Sequence, residues 1–162
     1  MPPYPDRPYL DKVAPEAWKA ASALSASVTD NASRMGLSVA ETELVKVRAS
    51  QINACMFCLD LHAREARNAG IPQQKLDLLP AWRESTLFTD REAAVLAVAE
   101  AATRLPLSED SHADLDMARG VLGDEAFAAT EWLATTINLF NRISILSEHP
   151  VRPRDANGEL IR

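Results

Sequence analysis

The chain has 162 residues, 47% of them hydrophobic and 25% charged, which suits one domain with a sizeable core. Its net charge of −6, with no Lys/Arg stripe interleaved with aromatics, argues against a general grip on phosphates, so nucleic acid is not an expected partner. The Pro-rich N-terminus lacks the apolar core of a secretory signal, and no window reaches the ~18 apolar residues of a membrane span. The expectation is a soluble, cytoplasmic protein with no membrane partner.

Gly is scarce, Ala is abundant and no long β-branched run occurs, which favours helix. Pro2, Pro3, Pro5 and Pro8 predict an extended arm over residues 1–13. A first helix is predicted from Pro15 to Met35, with Trp18, Ala21, Leu24 and Val28 as its apolar stripe and Gly36 as its stop. Ser38 and Glu41 have capping-box spacing and open a second helix that ends near Asn53 or Ala54. A third runs from about Cys55 to Gly70, with Leu59, His62 and Ala66 on one face and Arg64, Glu65 and Arg67 on the wet side.

Pro72 opens a short helix that Pro80 stops. Thr89 and Glu92 repeat the capping signal before an Ala-rich helix from Asp90 to Arg104. Two more helices follow, Ser108–Arg119 and Gly123–Ser147, and residues 149–162 read as a tail. The expected fold is therefore all-α, a single-domain bundle of about six or seven helices. An arm and tail of this kind commonly reach onto a neighbouring subunit.

The two cysteines, Cys55 and Cys58, stand three residues apart. A disulfide between them closes so short a loop that it constrains the unfolded chain little, which weakens a structural-staple reading. In a reducing compartment such a pair points to redox chemistry or a metal. At a helix start, the backbone N–H groups and dipole favour a thiolate, the attacking species in peroxide reduction and disulfide exchange. The second cysteine of the pair captures the sulfenic acid or mixed disulfide.

His62 falls one turn after Cys58, where an imidazole can accept the thiol proton directly or through a water. Glu43, on the preceding helix, could orient His62. Helix-terminus logic alone favours the first cysteine as nucleophile, whereas closeness to His62 favours Cys58. Zinc would need four ligands, and beyond the pair and His62 only His112 or Glu43 could complete the set, so no metal is expected. Bland roles suit the remainder: Arg48 pairing with Glu43 or Glu41, Gln51 and Asn53 capping a junction, His112 and His149 exposed and idle. Trp18, Trp82 and Trp132 are read as core or subunit contacts.

The spacing Glu43-x11-Cys55-x-x-Cys58-x3-His62 resembles the AhpD-like alkylhydroperoxidase branch of the carboxymuconolactone decarboxylase family. Arg48, Ser50, Gln51 and Asn53, and the late T-I-N-L-F-N-R-I segment with Asn138, Asn141 and Arg142, are also similar to it. The resemblance implies an all-α homo-oligomer (dimer, trimer or hexamer) acting as a hydroperoxide reductase without a bound cofactor. Cys58 would be peroxidatic, Cys55 resolving, and Glu43 and His62 a proton relay. An external dithiol or lipoyl-type compound would be the reductant. The family's well-characterised members carry a histidine between the cysteines; here Phe57 stands there beside Met56. That departure shortens the relay and favours an organic hydroperoxide. The decarboxylase branch generally lacks the cysteine pair, which points away from lactone decarboxylation. The competing readings are a dithiol–disulfide exchange or redox-sensing protein, and a structural metal-binding module.

Overall fold

The computed structural model describes residues 7–161. Eight α-helices occur among them: α1 (Leu10–Val13), α2 (Pro15–Arg34), α3 (Val39–Ile52), α4 (Met56–Asn68), α5 (Gln73–Leu78), α6 (Asp90–Thr103), α7 (Glu109–Leu122) and α8 (Asp124–Ser147). A 3₁₀ helix, Leu79–Glu84, joins α5 to the loop before α6.

Both capping boxes form as their spacing predicts. Ser38 N–H donates to Glu41 Oε2 at 2.8 Å while Glu41 N–H donates to Ser38 Oγ at 3.1 Å. Thr89 and Glu92 repeat the exchange at 2.8 and 3.1 Å. Each box satisfies two amides that a helix start otherwise leaves without partners. At the other end of α2, Gly36 takes φ +86°, which lets Leu37 N–H reach back to the Ala32 carbonyl at 3.0 Å.

The helices so delimited pack around α3 and α6. Residues 94–99 of α6 are all buried, and α3 buries Leu44, Val45, Val47 and Ala49. Helices that are apolar on several sides belong in the middle of a bundle. Around them, α4 and α8 pack on α3, α7 and α8 on α6, and α2 on α8.

Two expectations are corrected. Within the proposed arm, residues 1–6 lie outside the described residues, and Leu10–Val13 form a short helix. No proline follows Pro8 until Pro15, and Leu10 N–H is held by Ser147 Oγ at 3.0 Å. The predicted stop at Pro80 holds: α5 ends at Leu78, and Pro80 opens a separate, kinked 3₁₀ segment in which Leu79 and Trp82 are buried. The tail folds back on itself, with Arg154 bridged to Leu160 and Asp155 Oδ1 accepting from Asn157 and Glu159 N–H at 2.9 Å. Among the described residues no helix is long and apolar enough to cross a membrane.

Arg48 is also corrected. It ignores Glu41, which pairs with Arg91 at 2.8 Å, and reaches across to α6. There its Nε donates to Glu100 Oε1 at 2.8 Å. Trp82 Nε1 donates to the same oxygen at 3.0 Å, and Arg83 binds the other oxygen at 3.1 Å. Burial pushes Glu100 up, but the Trp82 indole and the Arg48 and Arg83 guanidiniums more than offset this and hold it below the usual carboxylate range. Removing one partner of a buried ion pair leaves the other uncompensated. Glu100→Ala is expected to lower unfolding free energy by about 3–5 kcal/mol in urea titrations. A loss under ~1 kcal/mol would show that the arginines find water instead.

Candidate functional site

The site begins at the junction of α3 and α4. Asn53 caps α3, and its side-chain amide donates to Asn138 Oδ1 at 2.8 Å and Asn141 Oδ1 at 2.9 Å, both on α8. Asn141 in turn donates to Ser50 Oγ at 3.0 Å, and Asn138 to Thr103 Oγ1 at 2.9 Å. This buried network ties the end of α3 to α8 and accounts for the polar residues of the late segment. The capping role read for Asn53 is therefore only half of what it does.

Ala54 follows with φ +52°, the left-handed region that non-glycine residues rarely adopt. That single residue reverses the chain so that Cys55 becomes the N-cap of α4. Its N–H is bound by the Ser50 carbonyl at 3.0 Å, and its Sγ accepts from Cys58 N–H at 3.4 Å. Cys55 and Cys58 are joined as a disulfide, with Cα atoms 5.3 Å apart.

His62 sits one turn beyond Cys58, with its Nδ1 2.9 Å from Glu43 Oε2. Glu43 is buried on α3, and its other oxygen accepts from Lys46 Nζ at 2.9 Å. A carboxylate can only accept, so Nδ1–H donates and Nε2 is left as the basic nitrogen of the neutral ring. Burial pushes the Glu43 carboxyl up, but the His62 hydrogen bond and the Lys46 ammonium outweigh it and hold it below its ordinary value.

Cys58 and His62 open onto a cavity of about 560 Å³ between α1, α2, α4 and α8. That is the size of an ordinary small-ligand site. Its walls are largely apolar, with Trp18, Phe57, Leu133, Ile137 and Phe140 prominent. Cys58 is 3% exposed and lines the cavity; Cys55 is 1% exposed and does not. The two sulfurs are thus inequivalent in access. Among the described residues, no group of three or more His, Cys, Asp or Glu side chains is placed to hold a metal ion.

Several wall residues carry no signal in the spacing of the motif. Trp18, read as core or subunit contact, meets Phe140 edge-on at 5.6 Å in the cavity wall. Trp82 is buried, whereas Trp132 is exposed. His149 is not idle. It bonds Asp11 and Ser144, and its ring lies 5.4 Å from that of Phe57. Its partner Asp11 is 138 residues away in sequence, so no local pattern could have joined them. His112 is exposed on α7, as expected.

A bonded cysteine pair capping one helix of an all-α bundle defines a helical Cys-x-x-Cys disulfide protein. The comparisons with known proteins narrow this. Residues 15–101 match the model of the carboxymuconolactone decarboxylase family. The chain belongs to that family, in its AhpD-like branch. It is 34% identical to the uncharacterized protein YdfG of Bacillus subtilis over 103 residues, which are 64% of this chain and 70% of that one. To the uncharacterized protein YnjA of Escherichia coli it is 36% identical over 67 residues, 41% of this chain and 37% of that one. A crystal structure from Agrobacterium tumefaciens superposes with TM-score 0.78 at 34% identity, covering 90% of this chain and 99% of that one. It is of a protein of unknown function provisionally described as the antioxidant defence protein AhpD.

Two outcomes test this geometry. Ala54→Gly removes the left-handed strain and is expected to raise stability by about 1 kcal/mol, read from the denaturation midpoint. A lower midpoint would mean that the turn does not favour glycine. Because the Glu43 pKa is depressed on folding, its ionisation contributes stability that is complete above the ordinary carboxylate range and is lost as pH falls through the depressed value. Glu43→Gln should therefore flatten the acid limb of the stability–pH curve, while an unchanged limb would remove Glu43 from it.

Proposed function

We propose that the protein is a thiol-dependent hydroperoxide reductase. The observation that carries this reading is the Glu43–His62 hydrogen bond at 2.9 Å, one helical turn from a cysteine that opens onto an apolar cavity. In the reduced enzyme, His62 Nε2 takes the Cys58 thiol proton, directly or through a water, while Glu43 holds the ring in the tautomer that makes this possible. The Cys58 thiolate attacks the distal peroxide oxygen. A sulfur–oxygen bond forms, the oxygen–oxygen bond breaks, and an alcohol leaves. Cys55 then attacks the sulfenic acid, closing the disulfide and releasing water. An external dithiol, lipoyl-type compounds included, reopens the pair by exchange and is itself oxidised. No bound organic cofactor is needed.

The inequivalent access of the sulfurs supports Cys58 as nucleophile and Cys55 as resolver. The aromatic and aliphatic walls suit an organic hydroperoxide better than hydrogen peroxide, because they reward apolar area. Met56, 61% exposed beside the pair, favours a second reading: an apolar contact for a disulfide partner, with exchange as the main activity.

Thiol titration separates these readings. One equivalent of cumene hydroperoxide should consume both thiols of the reduced protein, and Cys58→Ser should abolish the reaction. Retention of both thiols, with fast reaction toward lipoyl disulfides, would favour exchange instead. His62→Ala should slow thiol oxidation at neutral pH by about 10²-fold and move its pH profile upward. An unmoved profile would remove His62 from the proton path.

A further inference from the structure

The cavity holds a second carboxylate–imidazole pair. His149 Nε2 lies 3.0 Å from Asp11 Oδ1, and its Nδ1 lies 3.2 Å from Ser144 Oγ. Asp11, Ser144 and His149 all line the cavity that Cys58 and His62 line. The Asp11 carboxylate accepts, so Nε2–H donates to it and Nδ1 faces the Ser144 hydroxyl. The result is a hydrogen-bonded row from Asp11 through His149 to a hydroxyl at the cavity wall.

Its surroundings keep the row in place. Lys12 Nζ stands 3.2 Å from the other oxygen of Asp11, and the neighbouring Glu148 is drawn to Arg7 at 3.7 Å. Tyr9 meets the His149 ring edge-on at 5.2 Å, and Phe57 of α4 meets it from another side. Burial pushes Asp11 up, but hydrogen bonds from His149 and Lys12 overcome it and keep the carboxyl below its usual range. Ser144 lies inside α8, whose amides are committed to the helix.

Peroxide cleavage needs protons handled at two places. The thiol proton is taken at sulfur, beside His62. The leaving oxygen is expelled on the far side of the attacked one, in line with the new sulfur–oxygen bond. His62 shares one face of α4 with Cys58, whereas Ser144 belongs to α8 and His149 follows it.

We propose that Asp11, His149 and Ser144 form a second proton path, which delivers a proton to the leaving alkoxide. This rests on the hydroperoxide reductase reading. Cys58 sulfur gains the distal hydroxyl and is oxidised by two electrons, and the departing alkoxide carries off the electron pair of the broken bond. That alkoxide takes its proton from the Ser144 hydroxyl, which is refilled from Nδ1–H of the doubly protonated His149 ring, leaving that ring neutral with its remaining proton on Nε2 toward Asp11. His149 is reprotonated from solvent, and Asp11 orients its ring throughout. Ser144 is the group that touches substrate; Asp11 is a positioning residue.

The test compares oxidants of unequal leaving group on the reduced full-length protein. Stopped-flow thiol oxidation is followed with tert-butyl hydroperoxide, whose alkoxide must be protonated, and with peracetic acid, whose carboxylate need not be. Ser144→Ala and His149→Gln should slow the first reaction on the order of a hundredfold and leave the second within about twofold. His149→Gln keeps a donor toward Asp11, and Ser144→Ala leaves the His149–Asp11 pair intact, so two independent changes report on the path. Equal slowing with both oxidants, or none with either, overturns the proposal. If the unaltered protein keeps both thiols against tert-butyl hydroperoxide, the reductase reading fails first and this path falls with it.

Discussion

A single amide governs how the reactive residues come together. The Asn53 side chain donates twice to α8, and this fixes where α3 ends and in which direction the chain leaves it. The left-handed residue that follows would be unfavourable in a free peptide, and it persists because the network around Asn138, Asn141 and Ser50 over-determines it. From that turn come the N-cap position of Cys55, the approach of the two sulfurs and the register that carries His62 onto Glu43. If the clamp were loosened, each of these relations would be free to drift.

Two of the buried glutamates, Glu100 and Glu43, illustrate how one side chain type serves two ends. Glu100 is met by guanidiniums from three segments, Arg48, Arg83 and Arg104, and by an indole. A carboxylate so saturated has no capacity left for a passing proton, and its work is to join α3, the 3₁₀ segment and α6. Glu43 faces Lys46 and His62 instead. It is held charged, yet its imidazole partner keeps a second nitrogen for other use. Charge saturation makes a structural joint of the first, and incomplete saturation lets the second take part in chemistry.

The sequence carried the parts of this arrangement that are local. Capping boxes at Ser38 and Thr89, glycine stops such as Gly36, and the one-turn offset between Cys58 and His62 are all short-range patterns, so they could be read without coordinates. The family resemblance rested on the same stretch and led to the same fold. What lay beyond reach was long-range. Arg48 had acidic neighbours five and seven positions away, and nothing local said that Glu100 would win it. His149 had no periodic context at all, being a single ring after a helix end, and its role depends on a carboxylate from the far end of the sequence. The short helix α1 was hidden for the same reason: its first amide is satisfied by Ser147 rather than by anything nearby.

The bond between Asp11 and His149 also sets an order of events. A polypeptide halted at Ser147 would already contain the paired sulfurs, Glu43 and His62, and could fold them into place. The helix bearing Asp11 would keep the Ser147 contact at Leu10 but lose the His149 tie, so one side of the chamber would be only partly anchored. During synthesis that helix can complete its docking only after residue 149 has been added. The wall around the reactive sulfur is therefore finished only once two side chains 138 residues apart have both been made.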